Sequence, residues 1–191
     1  MKCLYLHFFI NMQADLDIEK LKFPIGKLNP PTAYNAEQVK QYIQALEELP
    51  VLMEATAKDL SVKDLTYCYR PGSWNIKQIV HHVADSHLNF HIRLRLALAE
   101  ETPTVKPYDE NVWAKFTDAN NDDLSSSLHI LKGVHTRAVI LAGTLTEKDL
   151  QRQYFHPEYQ KHFNLLWLLG MYAWHGKHHV EQIKTALQHK F

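Results

Sequence analysis

Cysteine is nearly missing from this chain: Cys3 and Cys68 are the only two, and their spacing makes neither a disulfide framework nor a thiolate metal site. A reducing cytoplasm fits that usage. An excess of either charge is missing as well. Lys plus Arg and Asp plus Glu stand at 21 each, which leaves no basic field to grip nucleic acid or an anionic membrane. The expected partner is a small molecule or a second copy of the chain. No apolar run is long enough for a membrane span: Phe163 to Trp174 covers 12 residues against the ~20 required, and it reads as a buried helix. The leader MKCLYLHFFINM faintly resembles a signal peptide, but His7 interrupts its apolar run and no small-residue cleavage site follows. Repeats, low-complexity tracts and linkers are also lacking, and 191 residues suit one well-cored domain better than two.

What the chain has in excess is histidine. It carries 13, gathered at positions 81, 82, 87 and 91 and again at 175, 178, 179 and 189. Capping signals and apolar periodicity predict helices over about 36–58, 76–99, 123–142 and 165–188. Asn35 with Gln38 and Asn75 with Gln78 open the first two, Asp122 is the expected cap of the third, and Asn164 that of the fourth. Pro50 should kink the first helix. Thr146 with Asp149 suggests a short extra turn, and the segment 151–163 alternates as a small β-hairpin or an irregular loop would. The expected fold is all-α: a four-helix bundle with a long crossover connection, the class in which sites are built between facing helices.

His175 and His179 lie four apart, on one helical face, a spacing that lets two imidazoles share a metal. Along that face run Leu165, Leu168, Tyr172, His175, His179 and Ile183, so the pair interrupts an apolar stripe instead of lying on a polar side. Buried imidazoles without partners would cost about 1–3 kcal/mol each. His178 points elsewhere, either solvated or in a supporting role. A catalytic centre usually takes three protein ligands, and the second helix offers His81, His82, His87 and His91. Helical geometry does not choose among them. His87 sits within the apolar stripe as an ordinary core histidine would, whereas His82 shares a polar flank with Asn75, Ser86, Asn89 and Arg93 that suits a pocket wall or a solvent face equally.

The segments FPIGK, RPGSWNIKQIVHHVADSHLNFHIRLRLALAEETPTVKPYDENVW and YAWHGKHHVEQI, together with the His-Pro step of the hairpin region, resemble the DinB superfamily and within it the YfiT-like branch of metal-dependent hydrolases. The resemblance runs from about Phe23 to about Leu187. Residues 1–22 fall outside it as an N-terminal extension, either disordered or added by a start upstream of Met12; residues 23–191 form the single domain. The resemblance implies a four-helix bundle, a homodimer, and one zinc or nickel ion per chain. The helix-two ligand follows the motif tryptophan by eight residues, which from Trp74 lands on His82; His175 and His179 complete the set.

Three neutral imidazoles leave a bound ion its full charge, so it would be a Lewis acid toward water, a substrate oxygen or a thiolate. Two chemistries follow. Hydrolysis needs a base, and Asp85, one turn after His82, is the nearest carboxylate and the expected catalytic residue. Asp109, Glu110 and Glu181 are weaker candidates. Transfer of a low-molecular-weight thiol needs no protein base, and Arg93, Arg95 and Arg137 could meet an acidic cosubstrate. A third class, a non-enzymatic protein with an ion as staple, would normally show four ligands, often cysteines, and no cysteine lies near these motifs.

Overall fold

In a computed structural model the described residues are 17–191; the leader with Cys3 and Met12 lies outside them. Seven helices and one hairpin follow in order: α1 Ile18–Lys22, α2 Ala36–Ala57, α3 Ile76–Ala99, α4 Glu110–Trp113, α5 Ser125–Ala142, α6 Glu147–Leu150, β1 Gln153–His156, β2 Lys161–Asn164 and α7 Leu165–His189. The caps operate as the sequence implies. Asn35, Asn75 and Asn164 each accept a backbone N–H three residues on, and Gln78 closes a capping box with Asn75. The expected cap Asp122 is different. Its carboxylate pairs with Lys77 at 2.8 Å, α5 begins at Ser125, and Asp123 accepts from the Ser125 N–H. A lysine one helix away outcompetes the local backbone for that carboxylate.

Four long helices form the bundle. α3 lies between α5 and α7, and α2 packs against the same two from the opposite corner. Chain direction is set by paired contacts. His81 meets Ser127 and His87 meets His135, so α3 and α5 run parallel. Tyr42 meets Gly170 and Leu49 meets Gly176, so α2 and α7 also run parallel. His87 meets His175 and Phe90 meets Tyr172, so α3 and α7 are antiparallel. Parallel neighbours require the connection 100–124 to return the length of α3, which is the expected crossover. On the way it carries α4, capped by Asp109, and docks on the hairpin through Val105 N–H to Phe155 C=O at 3.0 Å and Phe155 N–H to Pro103 C=O at 2.9 Å. The region 151–163 is a true antiparallel hairpin, registered Gln153 to Asn164 and His156 to Lys161.

The helices approach closely where the site lies. A Cβ on Gly176 would collide with the Leu49 side chain, so α2 and α7 touch at a point flanked by His175 and His179. Two apolar clusters fill the interior. One holds Phe90, Leu94, Leu165, Leu168 and Tyr172, and the other Ile76, Ile79, Val83, Val180 and Ile183. The layer between them is imidazole. Residues 17–22, which precede the expected domain, form α1 with Leu21 buried, and Gln182 donates to the Lys22 carbonyl at 3.0 Å.

Candidate metal centre

His82 on α3 and His175 and His179 on α7 each present one ring nitrogen, and the three lie within 4.8 Å of one another. They stand on the wall of a cavity of about 630 Å³, a size that suits a small molecule. Trp74, eight residues before His82, packs its indole on that imidazole at 4.6 Å.

The neighbouring histidines sort themselves by hydrogen bonds. His81 spends both nitrogens, donating from Nε2 to the Asn121 carbonyl at 3.0 Å and accepting at Nδ1 from Ser127 at 2.8 Å, so it is a satisfied core histidine. His91 accepts from Arg95 Nε at 2.8 Å, away from the cluster. His178, read from sequence as solvated or supporting, is buried and stacked on Trp174 at 4.5 Å.

His87 belongs to a longer construction that begins at Pro50. A helical N–H at position 50 would bond the carbonyl of Leu46, and proline has none. That carbonyl instead accepts a hydrogen bond from His135 Nδ1. A carbonyl can only accept, so the direction of everything beyond it is fixed. Neutral His135 keeps its proton on Nδ1 and accepts at Nε2 from His87 Nδ1, 2.8 Å away. His87 in turn accepts at Nε2 from His175 Nδ1 at 3.2 Å, which leaves the lone pair of His175 on Nε2. Burial is the first cause holding all three imidazoles below their usual range, with His135 pushed down to about 4, so each stays neutral and the chain of donors holds at pH 7.

His179 is oriented by a separate relay. Gln182 commits its amide nitrogen to the Lys22 carbonyl, so its Oε1 accepts from His179 Nδ1 at 2.9 Å. Burial and the neighbouring His82 and His178 hold His179 low too, and burial pushes His82 down to about 4. The donor set therefore fits a borderline divalent ion: neutral imidazoles, two of them with Nδ1–H spent on a protein acceptor and Nε2 free. That is the arrangement metal-ligating histidines ordinarily show.

Asp85, the expected base, is not among the residues lining the cavity. Its carboxyl is raised to about 6, first by burial and then by Asp118, with His81 opposing; at about 100° per residue it is offset by roughly 60–100° around α3 from the pocket-lining His82, Ser86 and Arg93, on the side of His81. A raised carboxyl penalises the ionised folded state, so this contribution to stability is present at low pH and lost as pH rises through about 6. Asp85→Asn should therefore stabilise the fold at pH 8 by about 1 kcal/mol after discounting for partial exposure, about 2–4 °C in melting temperature, and by less at pH 5.5. Melting curves at the two values decide it. Asp109 caps α4, and Glu181 pairs with Lys184 at 2.6 Å. The polar flank of α3 does line the pocket, through His82, Ser86 and Arg93.

Together these features describe a helical bundle with an imidazole cluster between facing helices, opening on a ligand-sized cavity. The chain belongs to the DinB superfamily, whose family model matches residues 45–183. It is 39% identical over 163 residues to YfiT of Bacillus subtilis (strain 168), named "Putative metal-dependent hydrolase", covering 85% of this chain and 92% of that protein. A namesake from Geobacillus thermodenitrificans (strain NG80-2) is 38% identical over 174 residues, 91% of this chain and 97% of the relative. The solved structure of B. subtilis YfiT, described as "a probable metal-dependent hydrolase with an unusual four-helix bundle topology", superposes with a TM-score of 0.86 at 37% identity, covering 90% of this chain and 98% of that one.

Proposed function

We propose that the chain is a metal-dependent hydrolase of the YfiT type that holds one divalent transition-metal ion, zinc or nickel, on His82, His175 and His179 and acts on a small molecule. The observation that carries this reading is the convergence of three neutral imidazole nitrogens within 4.8 Å on a cavity wall. The names borne by the relatives support the reaction class. Bound there, such an ion supplies Lewis acidity that brings water toward ionisation near neutral pH.

The chain's own residues prepare the site. His87 with His135, and Gln182 with Lys22, fix the tautomer of two ligands before any ion arrives. Tyr108 lines the pocket with its hydroxyl raised to about 12, chiefly by burial, so it stays protonated and can donate a hydrogen bond to a bound small molecule. Asp85 takes no part in this scheme.

Metal analysis of the single variants His82→Ala, His175→Ala and His179→Ala tests the ligand set. Each should weaken binding by more than the roughly 10- to 100-fold typical of losing a supporting residue, and a variant that keeps full occupancy removes that residue from the set. The same centre would serve transfer of a low-molecular-weight thiol, so the activity screen carries both arms. Metal-dependent ester or amide cleavage without thiol supports hydrolysis, whereas conjugate formation that requires a thiol replaces it with transfer.

A further inference from the structure

One buried cation in the cavity has no counter-ion among the described residues. Arg93 is only 8% exposed, and none of the four ion pairs among the described residues includes it. Its Nε has no hydrogen-bond partner, and its one protein bond is from Nη1 to the Tyr172 hydroxyl at a long 3.4 Å. A guanidinium removed from water without an anion is costly, and chains keep such groups where a ligand supplies the missing charge.

The surroundings describe that ligand. His156, 5% exposed, lines the same cavity with an unpartnered Nδ1. Burial and the nearby Arg93 hold His156 below its usual range, so Arg93 is the buried cation of the pocket with neutral donors beside it, while the lysines that also line the cavity, Lys22 and Lys161, are exposed. Tyr108 and Tyr172 add hydroxyls, both kept protonated by burial. A buried planar fork matches a monoanionic carboxylate bidentately and neutralises it alone; a phosphate dianion would need a second cation drawn in from the exposed lysines. Glu110 and Glu158, the carboxylates lining the cavity, are both exposed. Beside the polar groups stand Phe163 and Trp167, their rings 4.2 Å apart, an apolar wall for a hydrocarbon or aryl body. Arg93 lies eleven residues after His82 on α3, about 16 Å along the axis, less the reach of a side chain that leans back toward the helix start.

We propose that Arg93, assisted by His156 and the hydroxyls of Tyr108 and Tyr172, is a carboxylate-binding subsite, so that the substrate is an amphipathic carboxylic acid whose reacting bond lies between its acid group and the histidine cluster. The substrate assignment rests on the hydrolase reading; the subsite itself is tested without it. Binding of 3-phenylpropanoate to the full chain is followed by calorimetry, beside 3-phenylpropan-1-ol and phenyl phosphate, before and after stripping with a chelator. Metal content is measured on every sample.

The acid should bind about tenfold or more tightly than the alcohol or the phosphate ester, and Arg93→Met should remove that advantage. Stripping should change it less than twofold. Arg93→Lys, which keeps the charge without the fork, should lose several-fold and serves if the methionine variant does not fold. An acid that binds no better than the alcohol, or an advantage that survives Arg93→Met, overturns the subsite. An advantage lost on stripping places the carboxylate on the metal and overturns it too. A chain that takes up no metal while 3-phenylpropanoate still depends on Arg93 defeats the hydrolase reading and leaves the subsite standing.

Discussion

Replacing His135 by phenylalanine should weaken metal binding by about 10- to 100-fold although His135 touches no metal. The aromatic ring keeps the volume and removes both hydrogen bonds. Leu46 C=O loses the donor that replaced the missing helical N–H, and His87 Nδ1–H loses its acceptor in a layer that is 0–1% exposed. Two orphaned groups at about 1–3 kcal/mol each lower stability by about 2–5 kcal/mol, which for a domain of this size is about 5–15 °C in melting temperature. His87 is then free to turn over, and His175 no longer has a reason to hold its proton on Nδ1, so part of the population presents a protonated nitrogen to the cavity. Pro50→Ala separates this from simple destabilisation. It returns an N–H that competes for Leu46 C=O, while alanine in a helix interior is favoured over proline by about 3 kcal/mol. Stability should hold or rise while metal affinity falls several-fold, because the carbonyl's second lone pair still admits His135. Competition titration with a chromophoric chelator reads the affinities, and a His135→Phe protein with wild-type affinity at pH 7 would sink the account.

That construction also marks where the sequence stopped being legible. Features that depend on neighbours along the chain could be read directly: the caps at Asn35, Asn75 and Asn164, the apolar periods of the long helices, and the short turn opened by Thr146 with Asp149. The pair His175 and His179 was visible for the same reason, since four residues of helix place both on one face. The choice of His82 over His81, His87 and His91 was not local. Ser127 and Asn121 on a distant segment satisfy His81, and a carbonyl on α2 reaches His87 through α5. A signal existed for the latter. His135 shares its stripe with Leu128, Leu131 and Ala138, so a buried imidazole stood in need of a partner, and Pro50 one turn after Leu46 announced a carbonyl without one. Joining them required knowing that α2 and α5 are neighbours. The Asp122 cap was assigned to the nearest backbone along the chain while Lys77 took its carboxylate in space, and Asp85, one turn from His82 along the helix, lies off the cavity lining.

The metal-free protein should lose stability steeply between pH 6.5 and pH 4. A histidine whose folded pKa is depressed stabilises the fold fully above its unfolded value of about 6.5, and the contribution disappears as pH falls toward the folded value, because only the unfolded chain takes up the proton. Burial is the first cause in His82, His87, His135, His175 and His179 alike. His82 and His135, both pushed down to about 4, account for roughly 2–3 kcal/mol each after allowing for the partial exposure of His82, at up to about 1.4 kcal/mol per pH unit per group. Asp85 works in the other direction through the same window, but it is one half-buried carboxyl against a layer of imidazoles. With total stability of order 5–15 kcal/mol, the histidines win, and the stripped chain should unfold by about pH 5. A bound ion demands neutral imidazoles as well, so the loaded protein should start from higher stability and fall with a still steeper slope. His135→Phe, less stable at pH 8, should show a shallower decline because one titrating group is gone. Chemical denaturation from pH 4.5 to 8 measures each slope; equal stability at pH 7 and pH 5 in the stripped protein would mean that the imidazole layer admits protons or water, and the fixed tautomers argued for His175 and His179 would go with it.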